Sequence, residues 1–287
     1  MTDSNSGITQ EEGRQAGIYV LPMPVIMQDQ VYYEDIDLTQ EQFYEGLLQG
    51  AEVSTSQPSP VALLEQWRKI LRDYEELVYI PMSSGLSGSC ETALGLAQDY
   101  NGRVQVVDNQ RISVTTRRSV YEALALAREG LDAASIRSLL EAHKKECGIY
   151  IMVDTLTYLK KGGRITPAAA ALGNLLKLKP VLQIHGGKLD AYGKARTLAQ
   201  AERMMIQALQ HDMEQCLGPD PDPSSYWIDM AYTYDREQAE AFRTHVTEAF
   251  PAFRDEIYMG ALPLSIACHI GPGALAVTFT KKIHGST

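Results

Sequence analysis

The sequence predicts an α/β protein in two parts. An N-terminal, mostly parallel α/β/α domain spans residues 1–160, and a C-terminal α+β domain spans 161–287. Apolar β-branched runs such as Leu77-Val78-Tyr79-Ile80 and Val104-Gln105-Val106-Val107 alternate with helical patterns through the first half. After Asp154 that rhythm breaks, at Gly162-Gly163. Two apolar runs, 181–185 and 188–192, then flank Gly186-Gly187, the pattern of a two-residue antiparallel hairpin. With 287 residues, 45% of them hydrophobic, the chain can bury a sizeable core in each part.

The elements follow in order. Residues 18–27 form an extended apolar run whose prolines confine it to strand ends or an edge. Thr39-Gln40-Glu41-Gln42 has capping-box spacing and opens a helix with Phe43, Tyr44, Leu47 and Leu48 on its apolar face, closed by Gly50. Ser59-Pro60 is an N-cap followed by proline at the first helical position. The helix it starts puts Leu63, Trp67, Ile70 and Tyr74 on one face, so Trp67 and Tyr74 are expected in the core. Two more helices run to Gly130 and over 132–146. A buried strand at 149–153 is counted with the first domain. Thr166-Pro167 starts a short helix and 198–216 a long one. Strands at 227–231, 257–259 and 274–279, with a helix over 239–250, complete the second domain.

The charge balance, −10, argues against a nucleic-acid partner, whose phosphates need a basic surface. Four cysteines without a C-x-x-C pair, and no secretory signal, point to reduced thiols and a cytoplasmic location. No apolar run reaches the roughly 18 residues that span a bilayer. The histidines show no metal-ligand spacing, so neither metal nor cofactor is expected.

Between the strand at Leu77 and the helix at Glu91 lies Ser83-Ser84-Gly85-Leu86-Ser87-Gly88. Such a junction turns backbone N–H groups toward an anion, and hydroxyls add donors without charge. Taken alone it is a tight βα turn with a serine N-cap. Arg164, after two glycines, is alone a cation at a helix C-terminus, and His269, before Gly271-Pro272-Gly273, a donor in a loop.

Five stretches change the weight of these residues. Thr55-Ser56-Gln57-Pro58-Ser59, the serine–glycine loop, Tyr158-Leu159-Lys160-Lys161-Gly162-Gly163-Arg164-Ile165, the stretch from Leu172-Gly173-Asn174 to Lys179-Pro180, and His269-Ile270-Gly271-Pro272-Gly273 together resemble the DegV family in order and spacing. The resemblance covers essentially the whole chain. It implies the family's two-domain fold and a protein that binds a long-chain fatty acid as ligand. It further implies presentation of the acid to a separate fatty-acid kinase subunit, which makes an acyl phosphate, with transient contact at a membrane surface. Residue by residue it implies Thr55, Ser56, Ser87 and His269 at the carboxylate and Arg164 facing phosphate or partner. Ser83, Ser84, Gly85, Gly88, Gly271 and Gly273 then support the loops, and no residue is catalytic. Apolar residues 168–172, Leu175, Leu176, Leu178, Val181, Leu182 and Met204 are candidates for a tunnel around the tail.

The sequence departs from the family at Ser89-Cys90-Glu91, where Thr-Tyr-Gln is usual, and at Asp108-Asn109, where Asp-Ser is usual. Thr2-Asp3-Ser4 matches a loop that follows the family's first strand, and nothing precedes Met1 to form it: the start is set late, the numbering cuts the strand, or the sheet lacks it, and a late start is the expected reading because a missing central strand would expose edges. Two other classes compete: a stand-alone hydrolase or phosphotransferase using Ser87, and a lipid-sensing regulator. The enzyme reading lacks a G-x-S-x-G elbow, a Walker loop and a G-x-G-x-x-G after a strand.

Overall fold

Thr2–Asp3 forms β1, paired in parallel with β2 (Val20–Leu21), and Thr2 also bridges Ile80. Thr2 and Asp3, read as part of a loop, thus form a strand themselves. Its polar residues are buried because the backbone takes up their polar atoms: Thr2 Oγ1 donates to the Ile80 carbonyl at 2.8 Å. This is a computed structural model, and it describes residues 1–170, 178–185, 188–219 and 221–283. The Gly186-Gly187 turn, Asp220 and residues 171–177, which include Leu172, Gly173, Asn174, Leu175 and Leu176, lie outside the described residues.

The described residues divide into two units, Met1–Lys144 with Pro263–Ser265, and Lys145–Leu262 with residues 266–283. In the first unit α1 (Gln10–Ala16) connects β1 to β2. The apolar run at 18–27 is split at Pro22 into β2 and β3 (Pro24–Met27), which belong to different sheets. β3 lies between β4 (Gln30–Tyr33) and β5 (Val53–Thr55), antiparallel to both, and Val25 faces Thr55. Between β4 and β5, α2 (Gln40–Leu48) starts on the expected capping box: Gln42 N–H donates to Thr39 Oγ1 at 3.2 Å, and Thr39 N–H donates to Gln42 Oε1 at 3.0 Å.

Ser59 Oγ caps α3 (Pro60–Ile70) by accepting from Ala62 N–H at 3.1 Å. The helix packs Leu63, Trp67 and Ile70 against β6 (Leu77–Tyr79) and β7 (Val104–Val106), which pair in parallel. Trp67 is wholly buried, edge-on to Tyr79, and burial of such a ring is worth about 3 kcal/mol. Tyr74 departs from expectation: it is 52% exposed. The helix ends at Ile70, so the spacing that aligns Tyr74 with Trp67 no longer applies. After β6 comes α4 (Ser89–Ala97), and after β7 come α5 (Val114–Arg128) and α6 (Ala133–Ala142).

The second unit is built on one six-stranded sheet, order β10-β9-β8-β13-β11-β12. Here β8 is Cys147–Met152, β9 Lys179–His185, β10 Lys188–Ala195, β11 Tyr226–Tyr232, β12 Tyr258–Ala261 and β13 Leu275–Lys281. The strand counted with the first domain is β8, which runs antiparallel to both β9 and β13 near the middle of this sheet. The break accordingly falls at 144/145 and not near 160. A continuously apolar strand reveals that it is buried on both faces but not which sheet it joins. α9 (Leu198–Leu217) and α10 (Arg236–Ala249) pack Met205, Leu209, Met213, Phe242 and Val246 into one core with Phe279. Val181 belongs to that core with Met204 against it, while Ala168 is exposed.

Three short helices remain. α7 (Thr157–Gly162) and α8 (Pro167–Ala170) precede β9; Thr166 Oγ1 starts α8 by accepting from Ala169 N–H. α11 (Leu264–Ile270) was not foreseen by sequence pattern. Its first residues count with the first unit. Glu34 Oε2 accepts from Leu264 N–H at 2.7 Å, and Ser265 Oγ donates to Asn5 Oδ1 at 2.6 Å.

Candidate functional site

In the first unit the loops at Thr55 and Ser83–Gly88 each follow the C-terminal end of a strand, β5 in an antiparallel sheet and β6 in a parallel pair. Thr55 ends β5, half-buried, and Ser56 follows it exposed. Gln57 ties the two loops: its Oε1 accepts from Thr92 Oγ1 on α4 at 3.3 Å, and a Cβ on Gly88 would sit 3.6 Å from the same oxygen.

The serine–glycine loop is wound on its own donors. Met82 N–H donates to Asp3 Oδ2 at 3.0 Å, Ser83 N–H to the Arg111 carbonyl at 3.0 Å, and Ser84 N–H to Asp108 Oδ1 at 3.2 Å. Gly85 N–H donates to Ser83 Oγ, and Leu86 and Ser87 N–H both donate to the Ser83 carbonyl, each at 3.1 Å. The expected row of amides turned toward an anion is therefore not found at 82–87. The tight turn around Ser83 uses them, and what remains to meet a ligand is hydroxyl. Ser87 Oγ accepts from Ser89 N–H at 3.2 Å and donates to Ser89 Oγ at 3.0 Å. Among the described residues no imidazole or carboxylate is bonded to Ser87. Gly88 is helical, φ −69°, and supplies no side-chain cap to α4.

The second unit gathers Arg164, His269, Gly271 and Gly273. His269 stands in the last turn of α11, not in a loop. Gly162, which ends α7, lies flat against its ring; a Cβ there would meet His269 Nδ1 at 2.1 Å. Gly271 and Gly273, both left-handed at φ +78° and +80°, press on Tyr158 and Asp154. Added Cβ atoms would come within 2.3 Å of the Tyr158 ring and 2.8 Å of the Asp154 carboxylate. The motif from Tyr158 to Ile165 and the motif beginning at His269 are thus interlocked. Arg164 is exposed and its Nη1 donates to the Gly162 carbonyl.

Burial, and then the nearby Arg164 charge, hold the His269 imidazole down at about 4, so near neutral pH it carries no charge. A neutral imidazole can donate from one nitrogen and accept at the other. Burial also pushes Asp3 up to about 6 and Glu34 up to about 7. Among the described residues no three metal-ligand side chains cluster, and no helix is long and apolar enough to cross a membrane. Cys90 and Cys268 are buried, and no disulfide forms among the described residues.

Sequence reading missed Asp3 as an anchor of the serine loop and Gly162 as the wall of the histidine. The only signal for Asp3 was its place in Thr2-Asp3-Ser4, the stretch that matches a family loop, and nothing in the sequence announces which ring a glycine will face.

Fold and loops define a class: a two-unit α/β protein whose first unit carries a hydroxyl-bearing serine–glycine loop and whose second carries an uncharged histidine motif. The chain belongs to the DegV family, since the family described as "Uncharacterised protein, DegV family" matches residues 1–282. A DegV domain-containing protein of Deinococcus radiodurans is 30% identical, with 96% of each chain covered. A DegV family protein from Thermus thermophilus, whose structure is described as showing fatty acid binding, is 30% identical with a TM-score of 0.86 and 98% of each chain covered. DegV from Bacillus subtilis, described as a fatty acid binding protein, is 27% identical with a TM-score of 0.83, again with 98% of each covered.

Proposed function

We propose that this protein binds a long-chain fatty acid and presents its carboxylate to a separate kinase subunit for conversion to an acyl phosphate. The observation that carries the reading is the whole-chain likeness to the fatty-acid-binding Thermus protein. In this reading Thr55 and Ser87, with Ser56 nearby, donate hydroxyl hydrogen bonds to the carboxylate, and neutral His269 donates a further one. Ser87 rotates its hydrogen from Ser89 Oγ to the ligand. Ser83, Ser84, Gly85 and Gly88 keep that loop in shape, and Gly271 and Gly273 do the same for the histidine motif. Arg164, permanently charged and exposed, meets the incoming phosphate, whose geometry suits its fork of donors.

The tail provides most of the affinity. At about 0.8 kcal/mol for each buried methylene, a long chain gains roughly 10 kcal/mol before the costs of association are set against it. The stand-alone enzyme is disfavoured by the sequence, which has no G-x-S-x-G elbow and no Walker loop. The test is to purify the protein from a bacterial host, denature it and analyse the extract by mass spectrometry. A long-chain acid is expected; an empty extract, with no binding of added oleate or palmitate, overturns the reading.

A further inference from the structure

The serine loop leaves β6 between two neighbouring strands of the parallel set, and each neighbour sends one aspartate to it. Asp3 closes β1, and Asp108 lies just beyond β7. Asp3 accepts from Met82 N–H through Oδ2 and from Asn5 N–H through Oδ1, both at 3.0 Å. Asp108 takes Ser84 twice, from N–H at 3.2 Å and from Oγ at 2.6 Å. Between these two clamped residues stands Ser83. Its hydroxyl and carbonyl receive the next three amides, and the last of those belongs to Ser87. The position of Ser87 thus depends on Ser83, and that of Ser83 on two carboxylates that never reach Ser87.

We infer that Asp108 and Asp3 are positioning residues for the head-group site, holding Met82 and Ser84 so that the Ser87 hydroxyl meets a ligand carboxylate in one fixed place. The inference rests on the fatty-acid reading for its ligand, though not for the clamp itself. Asp108 is the tighter half, since a charged acceptor to a hydroxyl at 2.6 Å is a strong bond. It is also the safer one to alter, because Asp3 is wholly buried and Asp108 only partly so. A loop allowed to swing moves Ser87 while leaving apolar surface for the tail unchanged. Loss of the clamp is therefore felt by acids and not by uncharged lipids of equal length.

The experiment uses the full chain with Asp108→Asn, and with Ser84→Ala as a milder second variant that removes only the hydroxyl bond. Hydrogen exchange at the amides of 84–87 is measured alongside binding of oleate and of methyl oleate. Faster exchange at those amides is expected in both variants. Oleate affinity should fall roughly tenfold or more in Asp108→Asn, with methyl oleate changing by less than about threefold. Unchanged exchange in both variants refutes the clamp. Equal losses for oleate and methyl oleate refute the positioning role. Failure of the unaltered protein to bind oleate refutes the fatty-acid reading instead, and the exchange measurement still decides whether the aspartates hold the loop.

Discussion

Replacing Gly162 by alanine tests whether the His269 ring is set by its glycine wall. Gly162 closes α7 without a left-handed φ, so alanine meets no backbone strain there and gains up to about 1 kcal/mol of helix propensity. Against that gain, the new Cβ would lie 2.1 Å from Nδ1, 3.0 Å from Cε1 and 3.2 Å from Cγ of His269. An ordinary contact needs at least 3.4 Å, so the ring must retreat by more than an ångström. Overpacking of this kind costs about 1–3 kcal/mol, which leaves a modest net loss of stability. The larger effect is on the ring. Displaced from its pocket, His269 should titrate well above about 4, back toward its ordinary 6.5, and oleate affinity should fall. Gly163→Ala is the control. Gly163 has φ +66° with nothing within 4 Å of an added Cβ, so its cost is about 1 kcal/mol of backbone strain with no displaced ring. NMR titration of the His269 imidazole, thermal unfolding and oleate titration of both variants give the answer. If Gly162→Ala kept the wild-type midpoint and affinity, or matched Gly163→Ala in both, the wall would have no role in placing the histidine.

Three further outcomes are expected. Ser87→Ala should weaken oleate binding by about 1.5–3 kcal/mol through loss of one donor to a charged acceptor, and an unchanged Kd by calorimetry would remove Ser87 from the site. Arg164→Ala should keep oleate affinity while acyl-phosphate formation with a kinase subunit falls; the opposite pattern would put Arg164 on the carboxylate. The last is pH dependence of stability. His269 stays uncharged in the fold down to about 4 but takes a proton near 6.5 when unfolded, so its contribution is full above 6.5 and is lost as pH falls through 4, at most about 3 kcal/mol. Glu34 runs the other way: protonated in the fold up to about 7 and ionised above 4.5 when unfolded, its contribution is full below 4.5 and lost as pH rises through 7. Urea unfolding should then give a flatter curve for His269→Asn below about pH 6.5, and for Glu34→Gln between about pH 4.5 and 7. Curves parallel to wild type would show that neither group is perturbed.

The helix starts were legible because their chemistry is local. Thr39 with Gln42, and Ser59 with Pro60, carry their caps within four residues of sequence. β1 was not legible, because two polar residues have no periodicity, and their burial depends on Ile80 and Met82 far along the chain. β8 read correctly as a buried strand and was put in the wrong unit, because its partners β9 and β13 come later in the sequence. α11 escaped for a similar reason. Its seven residues are too few for a helical pattern, and the acceptor for its first amide is Glu34. In the candidate site the residue types were legible one motif at a time. The anchoring of the serine loop by aspartates, and of the histidine by a glycine, belongs to distances that no spacing rule contains.

The return of Pro263–Ser265 to the first unit bears on how this protein is made. A ribosome releases residues 1–144 long before Leu264 emerges, and folding in order of synthesis is the usual course for a chain with two units. Here the early unit must wait with Glu34 lacking the Leu264 amide and Asn5 lacking the Ser265 hydroxyl. A gene cut after Lys144 would therefore encode a fragment without these two hydrogen bonds. Restoring both bonds to such a fragment takes a grafted Pro263-Leu264-Ser265 segment.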